Sequence, residues 1–354
     1  MKKFLIIVLA LIIGGAGGYF LYSKYFKNNV NNNTSNNRKV TAENYKEPFM
    51  WGVNVNPSAL RNYSLEGWNK QLKYVNELGT SWIRLSFDNE PKNKFEIYDD
   101  MMKVTDERKI NIYLGLGSSK PIETIDNPYQ DGYKVADEIS AHYKGKIKYY
   151  QLMSEQGSGA LKGATYSGEN ESDYDSAKYN RIKEWLRGAS TAIRKNDPNT
   201  YIVITDQWLR TAYFQMLIND KIDFDIIGWD WFGDMGLMED KKLADGTLLI
   251  DKLKSFNKPL ILAEVNGRPD SKKGMDETKQ SDFIQKMAEW AYNSGYIKGF
   301  FIHELVDLRP KDDNKYGDYY GLIEYQKASD GGYTFGKKRQ AFETYISIIK
   351  KYSQ

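Results

Sequence analysis

The chain has 354 residues, 41% hydrophobic and 14% aromatic, which suits one α/β barrel or two smaller domains. Its 50 basic and 47 acidic residues leave a formal charge of +3, so no basic surface calls for nucleic acid. With no cysteine, and with only His142 and His303 as histidines, the sequence excludes thiol catalysis, disulfide frameworks and thiolate metal sites.

Met1-Lys-Lys precedes an uncharged, mostly apolar stretch from Phe4 to Ser23, about the length that crosses a bilayer as a helix. Residues 1–27 are therefore expected to form a signal-anchor, with Lys2 and Lys3 keeping the N-terminus inside. A signal peptide cleaved among Gly14–Gly18 is the alternative, and both readings export the rest of the chain. Residues 28–46, rich in Asn, read as a polar linker, and residues 47–354 as the folded domain.

From Phe49 onward, short apolar runs alternate with amphipathic helical stretches. Phe49–Val55 reads as a strand, and Ser64 caps a helix with Trp68, Leu72, Val75 and Leu78 at helical spacing before Gly79 ends it. Trp82–Asp88, Ile110–Gly115, Ile147–Glu155, Tyr201–Asp206, Phe224–Trp231, the run at Leu260 and Ile297–His303 supply seven more strands. A closing helix is expected from about Arg339 to Lys351. Eight such alternations without a break in composition predict a single (β/α)8 TIM barrel. An open doubly wound sheet is the alternative, but no glycine-rich phosphate loop follows the first strand.

In such a barrel the site is built from the C-terminal strand ends and the loops after them. Glu155 and Glu264 each end an apolar strand run, where an ionisable group escapes the penalty of burial inside the sheet. Around them the same rim is expected to carry Arg84, Asp88, Gln156, Asp206, Trp208, Trp229, Asp230, Trp231, Asn266, His303 and Glu304. Carboxylates mixed with tryptophans suit a carbohydrate, since aromatic faces pack on sugar rings and carboxylates bind hydroxyls. Two glutamates there can perform retaining glycoside hydrolysis if they stand about 5–5.5 Å apart. Trp229 and Trp231 share a face of their strand and Asp230 takes the other, so a regular strand cannot aim all three at the site. The strand is expected to end near Trp229, with the loop after it re-aiming the rest.

Some residues have plainer readings. His142 sits on a helix as a solvated residue, and His303 has no partner histidine to make a metal ligand. Lys311-Asp-Asp-Asn-Lys315 lacks the spacing of an EF-hand loop and reads as a solvated loop. No cofactor or metal is expected.

Residues 49–350 resemble clan A of the glycoside hydrolases, the (β/α)8 retaining enzymes that include families 5, 39 and 53. The resemblance rests on the glutamates ending strands 4 and 7, on Thr278–Met287, and on Gly299-Phe-Phe-Ile-His-Glu-Leu-Val-Asp307 with Tyr320-Gly-Leu-Ile323. It implies that Glu155 is the acid/base and Glu264 the nucleophile, and that Arg84 lies near the nucleophile. Four positions depart from the pattern: Ser154 replaces the usual asparagine, Asp230 and Phe232 stand where a histidine and a tyrosine are usual, and His303 replaces a tryptophan. The expectation is a membrane-tethered retaining glycosidase, endo-acting on a β-linked exported or cell-surface polysaccharide. A glycan-binding scaffold without activity and a transglycosylase are the alternatives.

Overall fold

In the computed structural model, residues 39–58, 63–87, 94–269, 275–308, 319–329 and 333–353 are described. The eight predicted strands are present as β1 (Met50–Asn54), β2 (Trp82–Phe87), β3 (Asn111–Leu116), β4 (Tyr149–Leu152), β5 (Tyr201–Gln207), β6 (Ile226–Phe232), β7 (Leu260–Asn266) and β8 (Ile297–Ile302). They pair in parallel and in sequence order, and β1 also pairs with β8, so the barrel closes. Closure leaves the barrel no free edge for another chain to pair with.

Strand alternation then decides what each side chain can do. Met50, Tyr113, Tyr149, Tyr201, Val203, Ile226, Ile261 and Phe301 fill the interior. Residues one position away, such as Trp51, Ile83, Leu114, Tyr150, Ile202, Ile227 and Phe300, face the surrounding helices. Gly52 is required by this filling, because a Cβ there would lie 2.2 Å from the Phe301 ring.

The outer layer contains α1 (Leu65–Leu78), α2 (Lys94–Glu107), α3 (Pro128–His142), the short α4 (Gln156–Ala160) and the long α5 (Ser176–Asn196). After these come α6 (Thr211–Asn219), α7 (Leu249–Ser255), α8 (Glu277–Asn293) and α9 (Gln340–Tyr352). Ser64 caps α1 through the Gly67 amide, and Gly79 closes it with φ 77°, as the sequence predicted. Leu72, Val75 and Leu78 on its buried face contribute about 1.5–3 kcal/mol each. A two-stranded hairpin, β9 (Ile323–Lys327) with β10 (Tyr333–Lys338), precedes α9 and was not foreseen. A buried bidentate pair, Arg339 to Asp307 at 2.8 Å on both arms, fastens that hairpin to the segment after β8.

The domain boundary differs from the expectation. The compact unit begins at Val40, so residues 40–46 belong to the barrel rather than to a linker. Val40 and Tyr45 are buried, and the Tyr45 hydroxyl meets the Tyr149 hydroxyl at 2.8 Å across the N-terminal mouth. The polar composition hid this, because Val40 and Tyr45 are the two buried apolar side chains among residues 40–46. A cavity of about 460 Å³ at this same end, touching Glu47, Trp82, Lys148 and Ser353, shares no residue with the carboxylate cluster at the other end. The expected anchor, residues 1–27, lies outside the described residues, as do Asp88 and the Lys311–Lys315 run. Among the described residues, no helix is long and apolar enough to cross a membrane.

Tyr45→Ala is expected to cost about 3 kcal/mol in chemical denaturation, because it opens the mouth over Tyr149 and Tyr201. A chain beginning at Glu47 should lose at least as much stability relative to one beginning at Lys39.

Candidate active site

Simple alternation along β7 would turn Glu264 outward. Leu262 belongs to the outer core, and two residues on would share its face. Instead, β7 carries an extra residue relative to both neighbours. Trp229 pairs with Leu262 and Asp230 with Glu264, while on the other side Leu262 pairs with Phe300 and Val265 with Ile302. Ala263 points inward, Val265 points outward, and the bulge between them turns the Glu264 carboxylate into the barrel mouth.

Arg84 and His303 meet it there. Arg84 is on the inward face of β2 and only 7% exposed; its Nη1 donates to Glu264 Oε1 at 2.6 Å. Arg84 Nε donates to Gln151 Oε1 at 2.8 Å, and Gln151 in turn donates to the Met153 carbonyl and the Thr205 hydroxyl. His303 Nδ1 lies 3.1 Å from Glu264 Oε2, with Asn54 Nδ2 3.4 Å from the same ring nitrogen. Burial pushes the Glu264 pKa up, but attraction to His303 and Arg84 outweighs it and holds the group below the ordinary carboxylate range.

Glu155 faces this group from the end of β4. The strand stops at Leu152, and Met153 and Glu155 both take left-handed backbone, φ 56° and 50°. Such values cost free energy in residues with a Cβ, and here they direct the Glu155 side chain across the mouth. Gln207 Nε2 hydrogen-bonds Glu155 Oε2. Burial and the Glu264 charge push the Glu155 pKa up. Two carboxyls thus sit in opposed environments, one held ionised and one biased toward its protonated form, which is the arrangement acid/base catalysis needs. Oxygens of Glu155, Asp230 and Glu264 all lie within 4.8 Å of one another. Among the described residues this is the grouping close enough to hold a metal ion, although Arg84 already supplies positive charge to one member.

The other expected site residues divide between the two faces. Asp230 points inward as alternation demands, fully buried beside both glutamates. Trp229 and Trp231 do not line the site: β6 runs on to Phe232 rather than ending near Trp229, so both indoles stay on its outer face with no exposure. Trp229 packs against Phe214, and Trp231 stacks on Trp208 at 6.0 Å. Trp208 is half-buried at the rim, with φ 60° and Lys241 Nζ 4.1 Å from its ring centre. Asp206 also points out of the barrel, where Oδ1 pairs with Arg210 Nη1 at 2.9 Å, and burial raises its pKa to about 7. Gly157 makes room for it, since a Cβ there would lie 1.8 Å from Asp206 Oδ2. Gln156 donates to the Ser154 carbonyl at 2.8 Å within its own turn. Asn266 is buried and structural; its amide donates to the Tyr320 carbonyl at 2.5 Å and its oxygen accepts from Gln280 at 3.0 Å. Glu304 is buried, joined to His303 by a cis peptide, and its carbonyl accepts from Leu322 N at 2.9 Å.

Four contributors were missed: Asn54, Gln151, Thr205 and Gln207. Counting in twos from Tyr201 and Val203 places Thr205 and Gln207 inward, so the signal was present in β5. Phe232 and Tyr320 flank His303, with ring centres 5.7 and 5.5 Å away.

No family model matches the chain, and no curated protein does. Among solved structures it is similar to the β-glucosidase from Thermotoga maritima in complex with deoxynojirimycin, at TM-score 0.64 and 12% identity, over 86% of this chain and 98% of that one. The same enzyme in complex with cyclophellitol matches at TM-score 0.63. A GH2 β-galacturonidase from Eisenbergiella tayi bound to galacturonate matches at 0.59 and 13% identity, over 86% of this chain and 51% of that one. The likeness is one of fold.

Replacing Arg84 by Gln removes a positive charge 2.6 Å from Glu264, which disfavours the ionised carboxylate. Its pKa should rise, read by NMR titration of the labelled glutamate carboxyl carbons.

Proposed function

We propose that this chain is a retaining β-glycosidase working by double displacement. Glu264 attacks the anomeric carbon, and Glu155 passes its proton to the departing glycosidic oxygen. Glu155, now a base, then takes a proton from the water that releases the sugar from Glu264. The observation that carries this reading is the pair of carboxyl groups, with oxygens no more than 4.8 Å apart, in opposed electrostatic settings. That separation is close to the roughly 5–5.5 Å of retaining enzymes and leaves no room for the water an inverting enzyme needs. Arg84 and His303 keep the nucleophile charged, and Gln207 orients the acid/base. The known β-glycosidases with this fold support the reaction class.

The substrate reading is a β-linked polysaccharide outside the cytoplasm. It rests on residues 1–27, whose apolar run fits a signal-anchor. With Trp229 and Trp231 behind the strands, the aromatic support for endo action reduces to Trp208, and product lengths decide between internal and terminal cleavage. Ser154 is exposed where the resembling enzymes place an asparagine, so contacts to the sugar's 2-hydroxyl differ from theirs.

Residues 39–354 incubated with β-linked polysaccharides should yield shorter oligosaccharides by mass. Glu264→Gln should abolish the products, and Glu155→Gln should slow them by about 10²–10⁴-fold. Products from the Glu264 variant equal to the parent's would exclude it as nucleophile. Binding by the parent with no cleavage would favour a glycan scaffold. The full-length chain should stay with membranes through an alkaline wash; release of the intact chain would count against the anchor.

A further inference from the structure

The third carboxyl in the mouth has no role in the two-glutamate scheme. Asp230 is fully buried on the inward face of β6, paired in register with Gln207 on β5 and Glu264 on β7. Among the described residues, neither of its carboxyl oxygens meets an N–H or O–H donor. A buried carboxylate in that position would carry a full charge with nothing to solvate it, beside two other acids.

The charged and titratable groups facing it can be taken element by element. Arg84 on β2 attracts Asp230, but its Nη1 is given to Glu264 at 2.6 Å and its Nε to Gln151. Tyr113 on β3 is held in its neutral form by burial. His303, after β8, lies against the other oxygen of Glu264. Gln207 on β5 gives its amide to Glu155, and Arg210 also attracts Glu155. Gln207 and the Nη1 and Nε of Arg84 are therefore committed to Glu155, Glu264 and Gln151, Arg210 pairs with Asp206, and the Tyr113 hydroxyl meets neither oxygen of Asp230. The remaining neighbour of Asp230 is the Glu155 carboxyl, which lies within hydrogen-bonding reach of it.

We propose that Asp230 is held as a neutral carboxylic acid whose O–H donates a hydrogen bond to Glu155. The donor missing from this pair is thus the Asp230 proton itself. Of the three acids, Glu264 has the Arg84 guanidinium and Glu155 has an amide donor, so Asp230, which has neither, is the one least able to stay ionised. Burial and repulsion from Glu264 act in the same direction, pushing the Asp230 pKa well above the ordinary carboxylate range.

The consequence for Glu155 concerns both half-reactions. As Glu155 gives its proton to the leaving oxygen, negative charge develops on it in a buried setting. Asp230 O–H and Gln207 N–H are already aimed to receive that charge, so little reorganisation is needed. The Asp230 proton stays on Asp230 throughout, and no bond to it is made or broken. Asp230 is thus a positioning residue acting through Glu155. This mechanistic role rests on the glycosidase reading; the protonation state does not.

Infrared difference spectra between the parent and Asp230→Asn at neutral pH test the protonation state without substrate. The difference spectrum should show the carbonyl stretch of one buried, protonated carboxyl group present in the parent and lost in the variant, beside any band that Glu155 gives in both. If no such band is lost, Asp230 is not protonated and the proposal is overturned. Stability gives an independent reading. An acid neutral in the fold but ionised in the unfolded chain favours unfolding as pH rises above about 3.9. Asp230→Asn should therefore have the higher Tm at pH 7, with the gap closing as pH falls toward 4. A variant Tm below the parent's at pH 7 would overturn the proposal.

The role through Glu155 is read from the basic limb of kcat/KM, set by loss of the Glu155 proton. Asp230→Leu removes a donor to the ionised form, so the limb should move to higher pH by about one to two units. Asp230→Asn restores a neutral donor and should bring the limb back toward the parent. Were Asp230 ionised, both variants would remove a negative neighbour and shift the limb to lower pH, which would overturn the proposal. The infrared and stability results hold even if no polysaccharide is cleaved, so failure of the reaction assignment is distinguishable from failure of this one.

Discussion

Arg84 is the charge that the barrel mouth must accommodate. A guanidinium cannot shed its proton at any pH the fold survives, and this one is almost wholly removed from water inside a closed sheet. Such a charge is tolerable only with a counter-charge and with its remaining donors satisfied. Glu264 supplies the first and Gln151 contributes to the second. The pairing requires a carboxylate on β7 at a position where alternation points outward, and the extra residue at Ala263–Glu264 resolves that conflict.

The asymmetry of the site is a product of that pairing. Once Arg84 and His303 are directed at Glu264, little positive charge is left for the opposite side of the mouth. Glu155 then has an amide as its near neighbour, and Asp230 has no N–H donor among the described residues. Burial acts on all three acids alike, so the placement of the cations separates them. Electrostatic roles are distributed here by geometry, since no acid of the cluster differs from the others in chemistry by more than a methylene.

Legibility was uneven in ways that particular residues explain. Glu155 and Glu264 were found because an acid ending an apolar run is conspicuous in any strand. Asp206 ends an apolar run in the same way, yet inward-facing Tyr201 and Val203 put it on the outer face and Gln207 on the inner one. Trp229 and Trp231 showed the same parity in the sequence. The expectation that the strand would break near Trp229 failed because β6 pairs in register through Phe232. Residues 40–46 look like linker from their polarity, whereas two of their side chains, Val40 and Tyr45, pack into the inner core at the lower mouth.

From the sequence alone came the number and order of the barrel strands, the helix start and stop at Ser64 and Gly79, and the two glutamates. These depend on apolar periodicity and local backbone preference, which neighbouring residues carry among themselves. The bulge in β7, the left-handed turn at Glu155, the partners of Arg84 and the isolation of Asp230 were decided only by the tertiary structure. Each is a competition between residues from different strands for the same few ångströms of barrel mouth. Sequence separation gives no measure of which carboxyl a cation will reach first; closure of the sheet sets that distance, and with it the charge each acid carries.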